Sequence, residues 1–427
     1  MYGPIIPQKT SVKTPTSLFS RRATALPAAP SEPKGAHAIA FDSGHAFPGI
    51  LPDMTEAAER ALTQYRSETL QYGARPGLME MREWVVQYLE ADGARISAQE
   101  VLMTNGAKHG IELICRLLLD EGDTIVVTAP TYLTSLPLFR SFGAGFIEVG
   151  QDDEGIDIDA IEESIAWLKQ SGRKLPKFIY DVPDFHNPTG ITMSRRRRQA
   201  LVELAMRHGI FIVEDSPYRQ IRFEGETEPS LKSIDSNEFV LSVGTFSKLL
   251  APGLRVGWVV APRDFIRRMA LLKSDGGSSP LLQRMVLEFC KDGGVDQHTR
   301  LARSTYHKHR DRMVRAVRRD LAEAEMTVPH GGYYLWLTLP QHIDGDELAQ
   351  RAMDNGVSIY PGSAFYAGQN DSYPRNKVPL KNNIRLNYSH ATPDEIDEGV
   401  RRIAAAYDAI SPKADAARDK AWAVRSA

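Results

Sequence analysis

The sequence predicts an α/β protein with a large domain built on a mostly parallel sheet, followed by a smaller α+β domain. Three observations predict it. From about residue 95 to 290, short apolar runs rich in β-branched residues alternate with amphipathic helical stretches, the rhythm of strand–helix–strand units. After a long charged helix near 298–324 that rhythm gives way to separate strand-like and helical segments. The chain has 427 residues, enough for a sizeable core and two domains.

In chain order, the first 31 residues lack Asp and Glu and carry Lys9, Lys13, Arg21 and Arg22. Four prolines by Pro27 break any long amphipathic helix, so the segment reads as a mobile arm packing on the body or on a partner subunit. TNGAKHG (104–110) puts a glycine and small residues at a helix start. TIVVTAP (124–130), KFIYDVP (177–183), GIFIVED (209–215), FVLSVGT (239–245) and VGWVVAP (256–262) read as buried strands bounded by Gly, Pro or Asp. GAKHGIELICRLLLD (106–120) and SRRRRQALVELAMRHG (194–209) read as helices between them. Past the long helix, HGGYYLWLTLP, VSIYPGSAF and NNIRLNYSH read as strands, with helices near 346–355 and 393–410. The tail after Pro412 reads as a peripheral or frayed helix. The expected division is an arm and small-domain segment over 1–60, a large domain over 61–297 and a small domain over 298–427.

Composition narrows the function classes. A net charge of −2 gives no global attraction to nucleic acid or an anionic membrane, and no apolar run reaches membrane-spanning length. Cytoplasmic location is the default expectation. Cys115 and Cys290 lie in apolar helical patterns without metal-type spacing and read as reduced core thiols. No histidine pattern suggests a metal; His307 and His309, in the charged helix, read as solvated, as does the basic run Arg195–Arg198.

In open α/β sheets ligands sit beyond the carboxyl ends of the strands. Those ends here carry chemically different residues. GIFIVED ends in Asp215, three residues before Tyr218; Asn187 follows KFIYDVP in a loop with Pro and Gly; Tyr132 follows TIVVTAP. FVLSVGT leads into Thr245, Ser247, Lys248 and Arg255. Gly106 opens a helix whose free N–H groups suit a phosphate. Singly, these could be a cap, a turn residue, a half-buried aromatic or a surface ion pair. Neither GxxxxGK[ST] nor GxGxxG is present. Together they supply an amine for a Schiff base, an acid for a ring nitrogen, donors for a phenolic oxygen and an anion pocket: the needs of a phosphorylated pyridine aldehyde.

LQYGARPGLMEMRE, DVPDFHNPTGITMS, VEDSPYRQIRF, GTFSKLLAPGLRVGW, PGSAFY and IRLNYSHATPDEIDEGVRR carry a resemblance over about residues 65–405. The sequence resembles the fold type I pyridoxal 5′-phosphate (PLP) enzymes of the class I/II aminotransferase superfamily, in the branch of 2-aminoadipate and kynurenine aminotransferases and MocR-like proteins. The resemblance implies a PLP-dependent aminotransferase moving an amino group between an L-amino acid and a 2-oxo acid. It implies Lys248 as the lysine of the aldimine and of proton transfer, and Asp215 as the partner of the ring nitrogen. Asn187 and Tyr218 match the donors to the phenolic oxygen, and Tyr132 the aromatic on the ring face. Gly106, Ala107, Lys108, Thr245, Ser247 and Arg255 fall where relatives bind phosphate. Arg385 matches the substrate-carboxylate arginine, with Gly44 bringing backbone to the same group. Tyr72 matches a tyrosine crossing a homodimer interface to the neighbouring phosphate.

Three departures qualify the likeness. Ala107 and Lys108 stand where serine and glutamine are usual; Lys108 either meets the phosphate as a point charge or points to solvent. Arg75 stands near the neighbouring site, placed to read an acidic substrate group or to pair with a surface carboxylate. SDGGSSP (274–280) differs near the substrate and dimer contact, its glycines permitting unusual backbone. On the same scaffold, β- or γ-elimination, replacement or oxidation is the alternative outcome. A purely ligand-sensing regulator would need a winged-helix module ahead of the catalytic unit, which the arm before residue 40 is too short to hold.

Overall fold

The computed structural model describes residues 18–20, 23, 38–291, 293–368 and 381–411. Lys9, Lys13, Arg21 and Arg22 of the basic arm and the tail from Pro412 lie outside them.

The large sheet has seven strands: β1 (Val101–Thr104), β2 (Thr124–Thr128), β3 (Gly145–Val149), β4 (Phe178–Asp181), β5 (Phe211–Asp215), β6 (Val240–Thr245) and β7 (Gly257–Val260). Their spatial order is β1-β7-β6-β5-β4-β2-β3. β7 runs antiparallel to both its neighbours, and every other pairing is parallel. The five runs expected as strands all form one, each one to three residues shorter than expected. β1 and β3 were not anticipated: β1 is four residues merging into TNGAKHG, and β3 is an edge strand interrupted by Glu148. Burial on both faces explains the continuous Val/Ile/Leu runs.

Helices cover the sheet. α1 (Ala107–Leu118) follows β1, α2 (Ser135–Ser141) follows β2, and α3 (Arg195–His208) precedes β5. α3 is bounded by Ser194, whose hydroxyl accepts from the Arg197 N–H at 3.3 Å, and by Gly209 at φ +67°. The long helix, α4, spans Gly294–Asp320 and starts earlier than its charge pattern suggests, after Gly293 at φ +69°. Beyond it, β8 (Tyr334–Thr338) and β9 (Asn383–Asn387) lie at the centre of a four-stranded antiparallel sheet. α5 (Pro393–Ile410) starts with a reciprocal Thr392–Glu395 capping box. VSIYPGSAF is not one strand: it divides into two two-residue pairings and a 3-10 turn. Val357–Ser358 pairs with Ile39–Ala40, tying the N-terminal segment to this unit.

Two solvated readings are overturned. Arg198 is fully buried, donating to Asp184 at 2.8 Å and to the carbonyls of Met193 and Pro183, both at 2.9 Å. It lies on the α3 face with Leu201, Val202 and Ala205, at the i+3, i+4 and i+7 spacing of the core stripe. Only Arg195 and Arg196 of the run are exposed. His309 is buried with Nδ1 3.1 Å from the Tyr388 carbonyl, whereas His307 is on the accessible side. Two residues apart on a helix means about 200° of rotation, so the pair cannot share one environment. Cys115 and Cys290 are buried free thiols.

Candidate active site

β4, β5 and β6 end side by side, and their carboxyl ends open into a cavity of about 270 Å³. Ala107, Lys108, Tyr132, Asn187, Asp215, Tyr218, Thr245, Ser247, Lys248 and Arg255 all line it. Residues separated by more than a hundred positions thus meet in the space the strand-end rule indicates. A wider cleft of about 660 Å³ lies against Glu148, Asp157, Glu163, Glu325 and Trp336. It offers carboxylates but neither an amine nor an arginine, so the smaller cavity is the candidate site.

Lys248 lies in a single helical turn after β6 and donates from Nζ to the Gly44 carbonyl. Burial lowers its ammonium pKa, helped by Arg385 and Arg255 and opposed by Tyr334. A larger neutral fraction makes the amine a better nucleophile and base. Opposite it, Asp215 ends β5 almost fully buried. Its Oδ2 accepts from the Tyr180 hydroxyl at 2.8 Å and its Oδ1 has no partner. Burial pushes this carboxyl up to about 7, while the Tyr180 hydrogen bond pulls the other way. A carboxylate buried without a cation, one oxygen free, suits a protonated ring nitrogen.

Asn187 is equally informative. Its Oδ1 accepts from Arg385 Nη1 at 3.0 Å, leaving its buried Nδ2 as an unused donor. Its loop is held from behind by Asp184, which pairs with Arg198 and, at 3.1 Å, with Arg219. Tyr218 donates to the Tyr334 hydroxyl at 3.3 Å. Tyr132 lines the cavity wall, its phenol pushed up to about 12 by burial.

An anion cup closes one end. Gly106, at φ +85°, caps α1, whose first residues Ala107 and Lys108 line the cavity; a Cβ on Gly106 would lie 2.7 Å from Arg255 Nη2. Arg255 itself takes φ +51° and donates to the Asn105 carbonyl at 2.8 Å. Thr245 donates to the Ser247 hydroxyl at 2.9 Å. Ala107 contributes no hydroxyl. Lys108 is exposed at its outer end yet lines the cavity, and partial burial lowers its pKa.

Beyond Lys248, Arg385 on β9 donates to Asn187 and to the Asp42 carbonyl. Its guanidinium lies 4.2 Å from the Tyr334 ring and 5.0 Å from Tyr360 and Phe365, with Nε unpartnered. Gly44 sits beside this group; a Cβ would lie 2.7 Å from the Tyr334 hydroxyl. Tyr72 is 95% exposed and Arg75 is also exposed; neither lines the cavity of its own chain. In the 274–280 segment Gly276 and Gly277 adopt φ +74° and +121°. A Cβ on Gly277 would contact the carbonyls of Gly73 and Ala74 at 3.6 Å, so this loop backs the Tyr72–Arg75 turn. Tyr180 and Tyr334 were missed from the sequence: inside strand-like runs they resemble ordinary core aromatics.

The family model for aminotransferases of class I and II matches residues 36–403. The chain belongs to that family. This aminotransferase is 34% identical to aromatic-amino-acid aminotransferase 1 of Thermococcus litoralis, over 82% of each chain. Among solved structures it is similar to the Pyrococcus horikoshii kynurenine aminotransferase in complex with PMP, at TM-score 0.82 and 34% identity. That match covers 92% of this chain and 97% of the other. The α-aminoadipate aminotransferase of Thermus thermophilus, complexed with N-(5′-phosphopyridoxyl)-L-leucine, matches at TM-score 0.79 and 30% identity, covering 88% and 93%. Among the described residues, no helix is long and apolar enough to cross a membrane.

Proposed function

We propose that this aminotransferase holds pyridoxal phosphate in the 270 Å³ cavity and uses Lys248 as nucleophile and proton carrier. The observation that carries the reading is the convergence of a buried amine with two orphaned polar atoms, Asp215 Oδ1 and Asn187 Nδ2, in residues lining one space. Bound pyridoxal phosphate supplies an electrophilic carbon and, with its ring protonated, an electron sink for the substrate Cα. Asp215 keeps the ring nitrogen protonated. Asn187 and Tyr218 donate to the phenolic oxygen, and Tyr132 covers the ring face. Gly106, Ala107, Lys108, Thr245, Ser247 and Arg255, at the α1 N-terminus and after β6, would hold the phosphate. Arg385 grips the substrate carboxylate, with backbone at Gly44 beside it, and so directs the Cα–H bond at Lys248. Lys248 would take that proton and deliver it to the cofactor carbon C4′, two bonds from Cα. Overall, water would supply the carbonyl oxygen as an L-amino acid leaves as its 2-oxo acid, and the amino group, carried by the cofactor, would pass to a second 2-oxo acid with return of the water.

The exposed Tyr72 and Arg75 act in the neighbouring site of a cytoplasmic homodimer, Tyr72 at the phosphate and Arg75 near the substrate. The test is a spectral titration of the holoenzyme with an amino-acid panel that includes S-adenosylmethionine, each donor followed by a 2-oxo acid. A donor should bleach the cofactor band and the 2-oxo acid should restore it. No bleaching by any donor, or an unchanged lysine-linked band in Lys248→Ala, overturns the reading.

A further inference from the structure

We propose that Tyr180 is a positioning residue for the ring-nitrogen carboxylate: it holds Asp215 Oδ2 so that Oδ1 faces the cofactor as an anion. The inference rests on the cofactor reading above and assigns a role that reading does not need. It begins with strand register. Tyr180 on β4 stands opposite Val213 on β5, and Asp215 follows Val213 by two residues. In-register parallel neighbours point to one face, as do residues i and i+2, so Tyr180 and Asp215 share a face of the sheet. The offset of about 6.6 Å along the strand is one a tyrosine spans, and its hydroxyl arrives 2.8 Å from Oδ2.

That contact is the carboxylate's single hydrogen bond among the described residues, Oδ1 having none. Tyr180 is itself tightly held. Its ring is fully buried edge-on to Phe139 at 5.2 Å, and its hydroxyl accepts from Ser135 Oγ at 3.1 Å. With one lone pair engaged by Ser135, the phenol proton is directed at Asp215. Burial and the neighbouring carboxylate raise the phenol's pKa well above its ordinary value, so it stays a donor. Ser135 stands in the segment that presents Tyr132, whose carbonyl accepts from the Ser135 N–H at 3.1 Å. The chain Ser135–Tyr180–Asp215 therefore ties the ring-face aromatic to the ring-nitrogen acid. Any buried hydroxyl needs a partner; what sets Tyr180 apart is that its proton goes to the one engaged oxygen of Asp215, whose other oxygen is left open.

The experiment loads wild type, Tyr180→Phe, Ser135→Ala and Asp215→Asn with pyridoxal phosphate carrying 15N in the ring and reads the nitrogen chemical shift and cofactor affinity. Wild type should show a protonated ring, and Asp215→Asn the unprotonated limit. Tyr180→Phe should move the shift toward that limit and weaken cofactor binding roughly tenfold, the scale of one hydrogen bond to a charged group. Ser135→Ala should move it the same way by less. A wild-type shift retained in Tyr180→Phe overturns the proposal; should that variant not fold, an unmoved shift in Ser135→Ala overturns it. Absence of a bound signal in wild type instead overturns the cofactor reading, and this inference with it.

Discussion

Lys248 divides the site into two halves of different construction. On the cofactor side, Asp215, Asn187, Tyr218 and Thr245 sit at or just beyond strand ends and are nearly fully buried. Their loops are held from behind, most firmly where Arg198 joins Asp184 to the carbonyls of Pro183 and Met193. On the proposed substrate side, Arg385 comes from the second sheet and Gly44 from the N-terminal segment, while Tyr72 and Arg75 are exposed and do not line their own chain's cavity. On the proposed reading the ring electronics rest on the large sheet, while substrate recognition draws on the buried Arg385 of the second sheet, the N-terminal segment at Gly44 and the exposed Tyr72–Arg75 turn.

The largest effect should come at the junction. Lys248→Ala removes both the nucleophile and the proton carrier, and turnover should fall by at least about 10⁴-fold. Steady-state and single-turnover assays on a donor found in the titration measure this. Residual turnover near wild type would erase the division at its boundary.

Next is the support behind the cofactor half. Arg198→Ala leaves Asp184 buried against fewer cations and should cost about 3–5 kcal/mol of stability in urea melts. Arg196→Ala, on the exposed part of the same run, should cost under about 1 kcal/mol. Equal losses would mean that burial does not distinguish the two arginines and that the loop is held otherwise.

On the substrate half, Arg385→Gln should lower kcat/KM by about 2–5 kcal/mol in transition-state terms, the loss expected for a buried charged partner. Cofactor affinity should change little, although Asn187 loses its 3.0 Å contact. Parallel titrations of pyridoxal phosphate and donor separate these effects. A cofactor defect as large as the catalytic one would show that the halves are one coupled unit.

Much of the cofactor half was legible because each residue follows a strand of unmistakable composition, and sheet topology supplies the rest. Asp215, Asn187 and Lys248 could be brought together without knowing strand order. Tyr180 could not: its role depends on register between β4 and β5, which no local pattern encodes. Arg198 was misread through its charge, although its spacing to Leu201, Val202 and Ala205 already marked the core face. β1 escaped notice because three apolar residues and a threonine beside a glycine-bearing turn look like a helix approach. The substrate half was less legible because Gly44, Arg385 and Tyr334 are adjacent only after two sheet units have packed.

The phosphate cup gives the smallest predicted effect and the finest test of the comparison. Ala107 supplies no hydroxyl there, and Lys108 is the neighbouring cation, exposed although it lines the cavity. A compact ammonium near a phosphate acts as a point charge without bidentate geometry, and water screens it. Lys108→Ala should therefore weaken pyridoxal phosphate by about 1 kcal/mol or less, with the loss shrinking as salt rises. Adding Ala107→Ser should recover affinity independently of salt, since a hydroxyl donor does not rely on long-range charge. Equilibrium binding at two ionic strengths decides the matter. A salt-independent loss above tenfold would make Lys108 a buried ligand of the rigid half, and the boundary between the halves would move outward to include it.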